Sequence, residues 1–271
     1  MHNARWQPTV LIRASIVLHV LALLAVIAIL EHWRWALGAV LINHALLTLV
    51  GMWPRSRWLG PNLTQLPASA AVQNKIALSI DDGPDPAVTP QVLDILERYA
   101  AQATFFCIGE KAARHPELCK EIVRRGHAVE NHSQHHPAYF ALLGMAGLTR
   151  EIQAAQDTLA ALTGRAPMLF RAPAGLRSPL LDPVLARLGL RLVAWTRRGF
   201  DTRSADPATV SRRLMTGLQA GDILLLHDGS SARSPAGVPV IVAVLPALLE
   251  AVAAAGLRLV TLADALQCEK P

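Results

Sequence analysis

The 271-residue sequence predicts an α/β domain of seven strand–helix units behind an N-terminal pair of long apolar helices. Three observations lead there. Two runs near the N-terminus stay uncharged over membrane-spanning lengths. From Lys75 onward, short apolar runs alternate with amphipathic helical stretches, the pattern of βα units and parallel strands. Polar residues able to do chemistry recur at the C-terminal ends of those apolar runs. Composition agrees: 52% of residues are hydrophobic, 17% are charged and the mean hydropathy is +0.32, whereas an ordinary soluble domain is roughly a quarter charged. That apolar surplus excludes a disordered chain.

Residues 1–58 read as a transmembrane hairpin. Ala14 to Leu30 is 17 residues without a formal charge and Ala36 to Trp53 is 18. Each is about the minimum that crosses a hydrocarbon core of roughly 30 Å at 1.5 Å per residue. Trp6, Trp33, Trp35, Trp53 and Trp58 flank the runs, where indoles favour the headgroup level. The turn is expected at Glu31 to Trp35. A cleaved signal peptide is the alternative for the first run, and Glu31-His32-Trp33 offers it no small-residue cleavage site. Arg5 and Arg13 precede the first run, Arg34 alone occupies the turn, and Arg55, Arg57 and Lys75 follow the second. The positive-inside rule therefore sets both termini, and the domain after the hairpin, on the cytoplasmic side of a bacterial-type inner membrane. His19, Asn43 and His44 lie within the spans and read as neutral groups bonding one helix to the other. Residues 59–73, with Pro61, Pro67 and small polar residues, read as a linker.

The net charge of +6 first suggests an acidic partner. Residues 1–58, however, carry five Lys/Arg and one acid, while the other 213 carry 21 and 19. The folded part is nearly neutral and lacks a basic stripe, which excludes nucleic acid as a partner. Cys107, Cys119 and Cys268 fall at no metal-ligand spacing and read as core or tail residues without an oxidised framework.

Residues 74–267 form the second domain. Its seven expected strands are Ile76 to Ile80, Ala103 to Ile108, Ala128 to His132, Met168 to Arg171, Leu190 to Trp195, Asp222 to His227 and Leu257 to Leu262. Expected helices run from Thr89 to Tyr99, Glu110 to Arg125, Leu148 to Leu162, Ser178 to Leu188, Pro207 to Leu218 and Pro239 to Ala255, with Thr89 as N-cap and Pro90 at the first turn. Seven units suit a barrel slightly smaller than the eight-fold one. An open doubly wound sheet is the alternative, but no Gly-rich phosphate turn follows the first strand.

Active sites of such domains form where strands end. The first strand ends in Asp81-Asp82-Gly83-Pro84, two carboxylates that taken alone would also suit an Asx turn. The third ends in His132-Ser133-Gln134-His135-His136, whose first and last imidazoles can converge on one ion. One aspartate with two histidines is a set that leaves metal positions open for water and substrate. Arg171 ends the fourth strand and His227 the sixth, supplying a fixed cation and a proton donor near neutral pH. Each is weak alone, but four strands presenting them at one end point to a metal hydrolase.

The ordered segments Ser79-Ile80-Asp81-Asp82-Gly83-Pro84, His132-Ser133-x-x-His136, Arg171-x-Pro173-x-Gly175 and Leu225-Leu226-His227-Asp228 resemble the polysaccharide deacetylases, the NodB-homology domain of carbohydrate esterase family 4, over about residues 74 to 264. The resemblance implies a distorted (β/α)7 barrel and metal-dependent removal of an acyl group from a sugar. It implies Asp81 as general base, Asp82, His132 and His136 as ligands of a divalent ion such as zinc, Arg171 as the residue orienting the base, and His227 as general acid. Leu225 would bound the acyl methyl group, and Pro173 and Ala174 would contact substrate, Ala174 through its backbone N–H. Two departures stand out: Ala174 replaces the family's usual tyrosine, and Arg198-Gly199-Phe200-Asp201-Thr202 replaces its usual Asp-x-x-Asp-Trp. Arg198 thus takes the position of the acid-orienting aspartate and Thr202 that of a groove tryptophan. Asp201 is the available substitute partner for His227, whose pKa a nearby Arg198 would depress.

The expected function is a membrane-anchored hydrolase that removes an N-acyl group, acetyl in the first place, from an amino sugar in a polysaccharide or a lipid-linked saccharide. A membrane-tethered carbohydrate-binding module without catalysis is the alternative, which retention of Asp81, the three ligands and His227 disfavours. A metalloprotease lacks its His-Glu-x-x-His helix.

Overall fold

The structure, a computed structural model, describes residues 6–267; Arg5 and Cys268 lie outside the described residues. Helix α1 (Val10–Ala28), a 3₁₀ turn (Leu30–His32) and α2 (Trp33–Gly51) form the hairpin, each helix 19 residues long. Both are long and apolar enough to cross a membrane. They begin before the uncharged runs because Arg13 and Arg34 sit inside them: absence of charge marks the apolar stretch, not the helix end, which at α1 is the Thr9 hydroxyl accepting from Ile12 N–H. Between the helices Asn43 Nδ2 donates to Ser15 Oγ at 2.8 Å. His19 Nδ1 donates to the Ser15 carbonyl at 2.7 Å, which leaves its Nε2 to accept from His44 Nε2 at 3.2 Å. The expected inter-helix polar contacts are therefore present.

Residues 59–73 are not a free linker. Leu63 N–H donates to the Leu192 carbonyl and its own carbonyl accepts from Ala194 N–H, at 2.9 and 2.8 Å, so this segment pairs with the sheet. Short helix α3 (Ala68–Ala71) follows, and Leu66 N–H bonds the Gly221 carbonyl. Obligatory backbone bonding made a partner of a segment whose prolines and polar residues read as loop.

Among the described residues eight strands form the parallel sheet: β1 (Lys75–Asp81), β2 (Thr104–Cys107), β3 (Ala128–Asn131), β4 (Leu169–Phe170), β5 (Arg191–Leu192), β6 (Arg197–Arg198), β7 (Ile223–His227) and β8 (Arg258–Leu259). Their order is β5-β4-β3-β2-β1-β7-β6, with β8 paired to the start of β1. The expected seven become eight because the chain after Leu192 leaves one sheet edge and forms the other as β6. Five residue steps span at most roughly 17 Å, so the two edges lie close and the sheet curls into an incompletely closed barrel, with residues 63–64 against the gap.

The helices are α4 (Thr89–Arg98), α5 (Gly109–Arg114), α6 (Pro116–Arg124), α7 (Met145–Thr163), α8 (Leu181–Leu188), α9 (Pro207–Met215), α10 (Val240–Ala254) and α11 (Leu262–Gln267). The single helix expected over Glu110 to Arg125 is broken at Pro116, which has no N–H and holds His115 out of helical geometry at φ −130°. Thr89 does not cap α4; its hydroxyl donates to Asp228 Oδ2 at 2.5 Å, and Asp85 Oδ1 accepts from Ala87 and Val88 N–H instead.

Strand alternation positions the site. Ile76, Leu78 and Ile80 of β1 and Leu224 and Leu226 of β7 pack outward against α4 and α10 in one core. The intervening Ala77, Ser79 and Asp81, and Ile223, Leu225 and His227, point into the barrel, with Asp81 opposite His227 in the parallel register. Two carboxyl- and imidazole-bearing residues thus face inward at the same C-terminal level.

Candidate active site

At that level a cavity of about 180 Å³ is walled by residues from six strand ends, among them Asp81, Asp82, His132, His136, Trp195, Leu225 and His227. Asp82 Oδ1 lies 3.2 Å from His132 Nε2 and 3.3 Å from His136 Nε2, and the three ligand atoms fall within 4.8 Å of one another. His132 Nδ1 donates to the Arg171 carbonyl at 2.8 Å, so its Nε2 lone pair faces Asp82. Burial pushes the Asp82 carboxyl up, yet His132, His227 and His136 together hold it well below the usual carboxylate range. An ionised carboxylate and two imidazoles converging from one side fit a divalent cation, with the rest of its coordination sphere turned to the cavity.

Asp81 is held from behind. Arg171, 1% exposed, donates through Nη1 to Asp81 Oδ1 at 2.7 Å and to Ser79 Oγ at 2.8 Å, through Nη2 to the Ala194 carbonyl at 2.8 Å, and through Nε to the Val193 carbonyl at 3.3 Å. Its guanidinium stacks 4.2 Å from the Phe106 ring centroid. Asp81 Oδ2, which Arg171 does not bond, lies 4.0 Å from His132 Nε2.

His227 has the partner that the sequence left open. Asp201, fully buried, accepts from His227 Nδ1 at 2.9 Å and from its backbone N–H at 2.7 Å. Burial opposes the imidazolium, but the Asp201 bond and charge, with Asp81 and Asp82 beyond, raise the His227 pKa. Arg198 instead stacks on Trp195 and Phe200, at 5.3 and 5.0 Å from their centroids. Its position three residues earlier than Asp201 does not bring it between acid and imidazole.

Leu225 and Ala174 line the cavity, whereas Pro173 is buried outside its wall, where its ring shapes the 3₁₀ turn Pro173–Gly175. Ala174 has φ 55°, and Asp82, Ser133, His136 and Phe200 also have positive φ. Five such non-glycine residues at or beside one cavity are stored backbone strain concentrated where side chains must converge. Gly229 shows the same crowding: a Cβ there would come 1.9 Å from the Asp82 carbonyl oxygen, to which Lys111 Nζ donates at 2.8 Å.

Trp195, Ser230 and Lys111 belong to none of the ordered sequence motifs. Trp195 is the tryptophan that does not flank the hairpin, and it supplies an aromatic wall although Thr202 stands at the groove position. Ser230 Oγ donates to Asp82 Oδ2. A lone Trp at a strand end was the available signal; Ser230 and Lys111 are ordinary surface types and offered none.

An inward-facing metal-type triad, a clamped carboxylate and a histidine whose pKa is raised meet at one barrel mouth. The polysaccharide deacetylase family matches residues 69–193. A peptidoglycan-N-acetylglucosamine deacetylase of Bacillus cereus is 34% identical over 194 residues, covering 71% of this chain and 88% of its own. A chitooligosaccharide deacetylase of Azorhizobium caulinodans is 36% identical over 160 residues, covering 58% and 75%. The crystal structure of the peptidoglycan N-acetylglucosamine deacetylase Bc1960 superposes with a TM-score of 0.69 at 26% identity, covering 76% of this chain and 92% of that one. The chain belongs to the polysaccharide deacetylase family.

Proposed function

We propose that this chain is a membrane-anchored, divalent-metal-dependent deacylase that removes an N-acyl group, in the first place acetyl, from an amino sugar of a polysaccharide or a lipid-linked saccharide. The observation that carries the reading is the convergence of Asp81, Asp82, His132, His136 and His227 on one cavity, with Arg171 orienting Asp81 and Asp201 orienting His227. The N-acetylglucosamine deacetylase and chitooligosaccharide deacetylase names of the relatives support an N-acetylated amino sugar as substrate.

Asp82, His132 and His136 would hold a divalent ion, zinc for preference, which would supply Lewis acidity towards an amide carbonyl and a water. Asp81 is the proton acceptor. Arg171 fixes its Oδ1, leaving Oδ2 to take the proton of the attacking water. As the C–O bond forms, the Ala174 N–H stabilises the developing oxyanion. His227, whose Nδ1 is committed to Asp201, gives the Nε2 proton to the departing nitrogen as the C–N bond breaks, leaving a free amine and a carboxylate. Leu225 forms the floor against which the acyl methyl rests.

The hairpin anchors the chain, with Trp53 and Trp58 at the headgroups and Arg13, Arg55 and Arg57 on the cytoplasmic side. Asp81→Asn is expected to lower acetate release from an N-acetylated chitooligosaccharide by about 10²–10⁴-fold while the protein keeps a stoichiometric divalent ion. Undiminished turnover would refute the assignment. A periplasm-active reporter fused after Pro271 is expected to stay silent, and a bright signal would reverse the topology.

A further inference from the structure

The cavity holds one cation that the chemistry above leaves idle. Arg198 lines it with its guanidinium stacked between Trp195 and Phe200, at 5.3 and 5.0 Å, and among the described residues it has no carboxylate within 4.0 Å and no hydrogen-bond acceptor. Its Nε is buried without a partner. Stacking satisfies the faces of a guanidinium and leaves the N–H donors on its edge, which are geometrically suited to a planar or tetrahedral oxyanion. The acids nearby are committed: Asp201 gives both oxygens to His227, Asp81 bonds Arg171, and Asp82 faces His132, His136 and Ser230. Among the described residues no protein anion is left for Arg198.

The same wall runs to the end of the hairpin. Gly175, in the cavity lining, approaches Trp195 and Pro54 so closely that a Cβ would sit 2.7 Å from one and 2.8 Å from the other. Arg55, next to Pro54 and exposed, donates Nη1 to the Thr196 carbonyl at 3.1 Å, on the strand segment that leads to Arg198. One positive group inside the cavity is thus followed by a second where the chain leaves α2.

We propose that Arg198 binds an anionic group attached to the amino sugar and selects such substrates over neutral ones, a phosphate joining the sugar to a lipid being the favoured source and a carboxylate on the sugar the other. This rests on the amino-sugar deacylase reading. It also gives a use to the arginine at the position where the family usually has an aspartate, since Asp201 already serves His227. An N–H fork on a phosphate recognises charge and geometry together, so lysine replaces it only in part.

The test uses the full chain in neutral detergent with three soluble substrates: an octyl N-acetylglucosaminide, the octyl phosphodiester of N-acetylglucosamine 1-phosphate, and an octyl N-acetylglucosaminide bearing a carboxylate. The expected result is a kcat/KM at least about 10-fold higher for an anionic substrate than for the neutral one, an advantage that Arg198→Gln abolishes and Arg198→Lys keeps in part. The better anionic substrate identifies the source. Equal kcat/KM for all three, or a preference that survives Arg198→Gln, overturns the proposal. Calorimetric binding of the deacetylated octyl phosphodiester separates the two readings. If none of the substrates turns over but this ligand binds and Arg198→Gln removes the binding, the deacylase reading fails and the anion site stands.

Discussion

Arg171 with Asp81 and Arg177 with Asp182 are both Arg–Asp pairs removed from solvent, no member more than 5% exposed, yet their surroundings differ in kind. Arg171 meets its carboxylate at 2.7 Å and places Nε, Nη1 and Nη2 on oxygen acceptors. Arg177 stands 3.5 Å from Asp182 with Nε and Nη1 unbonded, and Asp182 Oδ2 likewise lacks a partner. Its Nη2 clasps the Ser56 and Gly60 carbonyls, while its backbone N–H reaches Gly51 at the end of α2. Removing two charges from water costs several kcal/mol per ion and is offset only by close geometry and full hydrogen bonding. The pair at the cavity meets that condition; the pair at the hairpin does not, and burial pushes Asp182 up to about 6 despite Arg177. The first arginine fixes the carboxylate proposed as the base, and the second ties chain segments together.

The largest expected effect lies on the well-satisfied side. Arg171→Met strands the Asp81 charge, so a loss of about 3–5 kcal/mol is expected in denaturant unfolding, with deacylation falling by more than about 10²-fold. A change below 1 kcal/mol would erase the contrast between the pairs. Next comes Asp201→Asn, which weakens the support of the His227 imidazolium. The folded state raises the pKa of His227, so its charged form persists to higher pH than in the unfolded chain. Without the carboxylate the alkaline limb of the pH–rate profile is expected to move to lower pH, with a loss of about 10²-fold at the optimum.

Asp182→Asn has the opposite sign. The folded carboxyl holds its proton more tightly than the ordinary value of 3.8, so the stability it contributes is greatest below about pH 4 and declines as pH rises towards 6. The amide abolishes that decline, and thermal unfolding at pH 7.5 is expected to show a gain of about 1–3 kcal/mol that vanishes at pH 4. A loss at neutral pH would mean that Arg177 and Asp182 are as well matched as the cavity pair. The smallest effect is Asn43→Ala in the hairpin, which removes the bond to Ser15. About 0.6–1 kcal/mol of helix–helix association is expected to go, read as reduced cross-linking between cysteines placed on α1 and α2.

Short motifs made most of the cavity legible. Asp81-Asp82 and His132 to His136 each bring their groups together within a few residues, and a strand end is enough to aim them. The inward and outward faces of β1 and β7 were not legible, because both faces of a parallel strand are apolar except where the inward face reaches the mouth. Strand β6 was not legible: Arg197-Arg198 reads as a polar turn, and becomes a strand only because β7 offers free backbone groups beside it. Thr89 departs from the expected N-cap for a related reason. Its hydroxyl had a stronger acceptor in Asp228, 139 residues away, than in the first turn of its own helix.

The order of residues is enough for the apolar hairpin, the βα rhythm and the motif groups at the cavity, since each depends on periodicity or on neighbours within one turn or loop. Only the packed chain brings Asp201 to His227 and Trp195 to the cavity wall, leaves Arg198 without an acid among the described residues, and seats residues 59–73 on the barrel. These outcomes depend on which unsatisfied donor meets which acceptor across the curled sheet. That competition between distant groups is settled by distance and burial, neither of which is written in the order of residues.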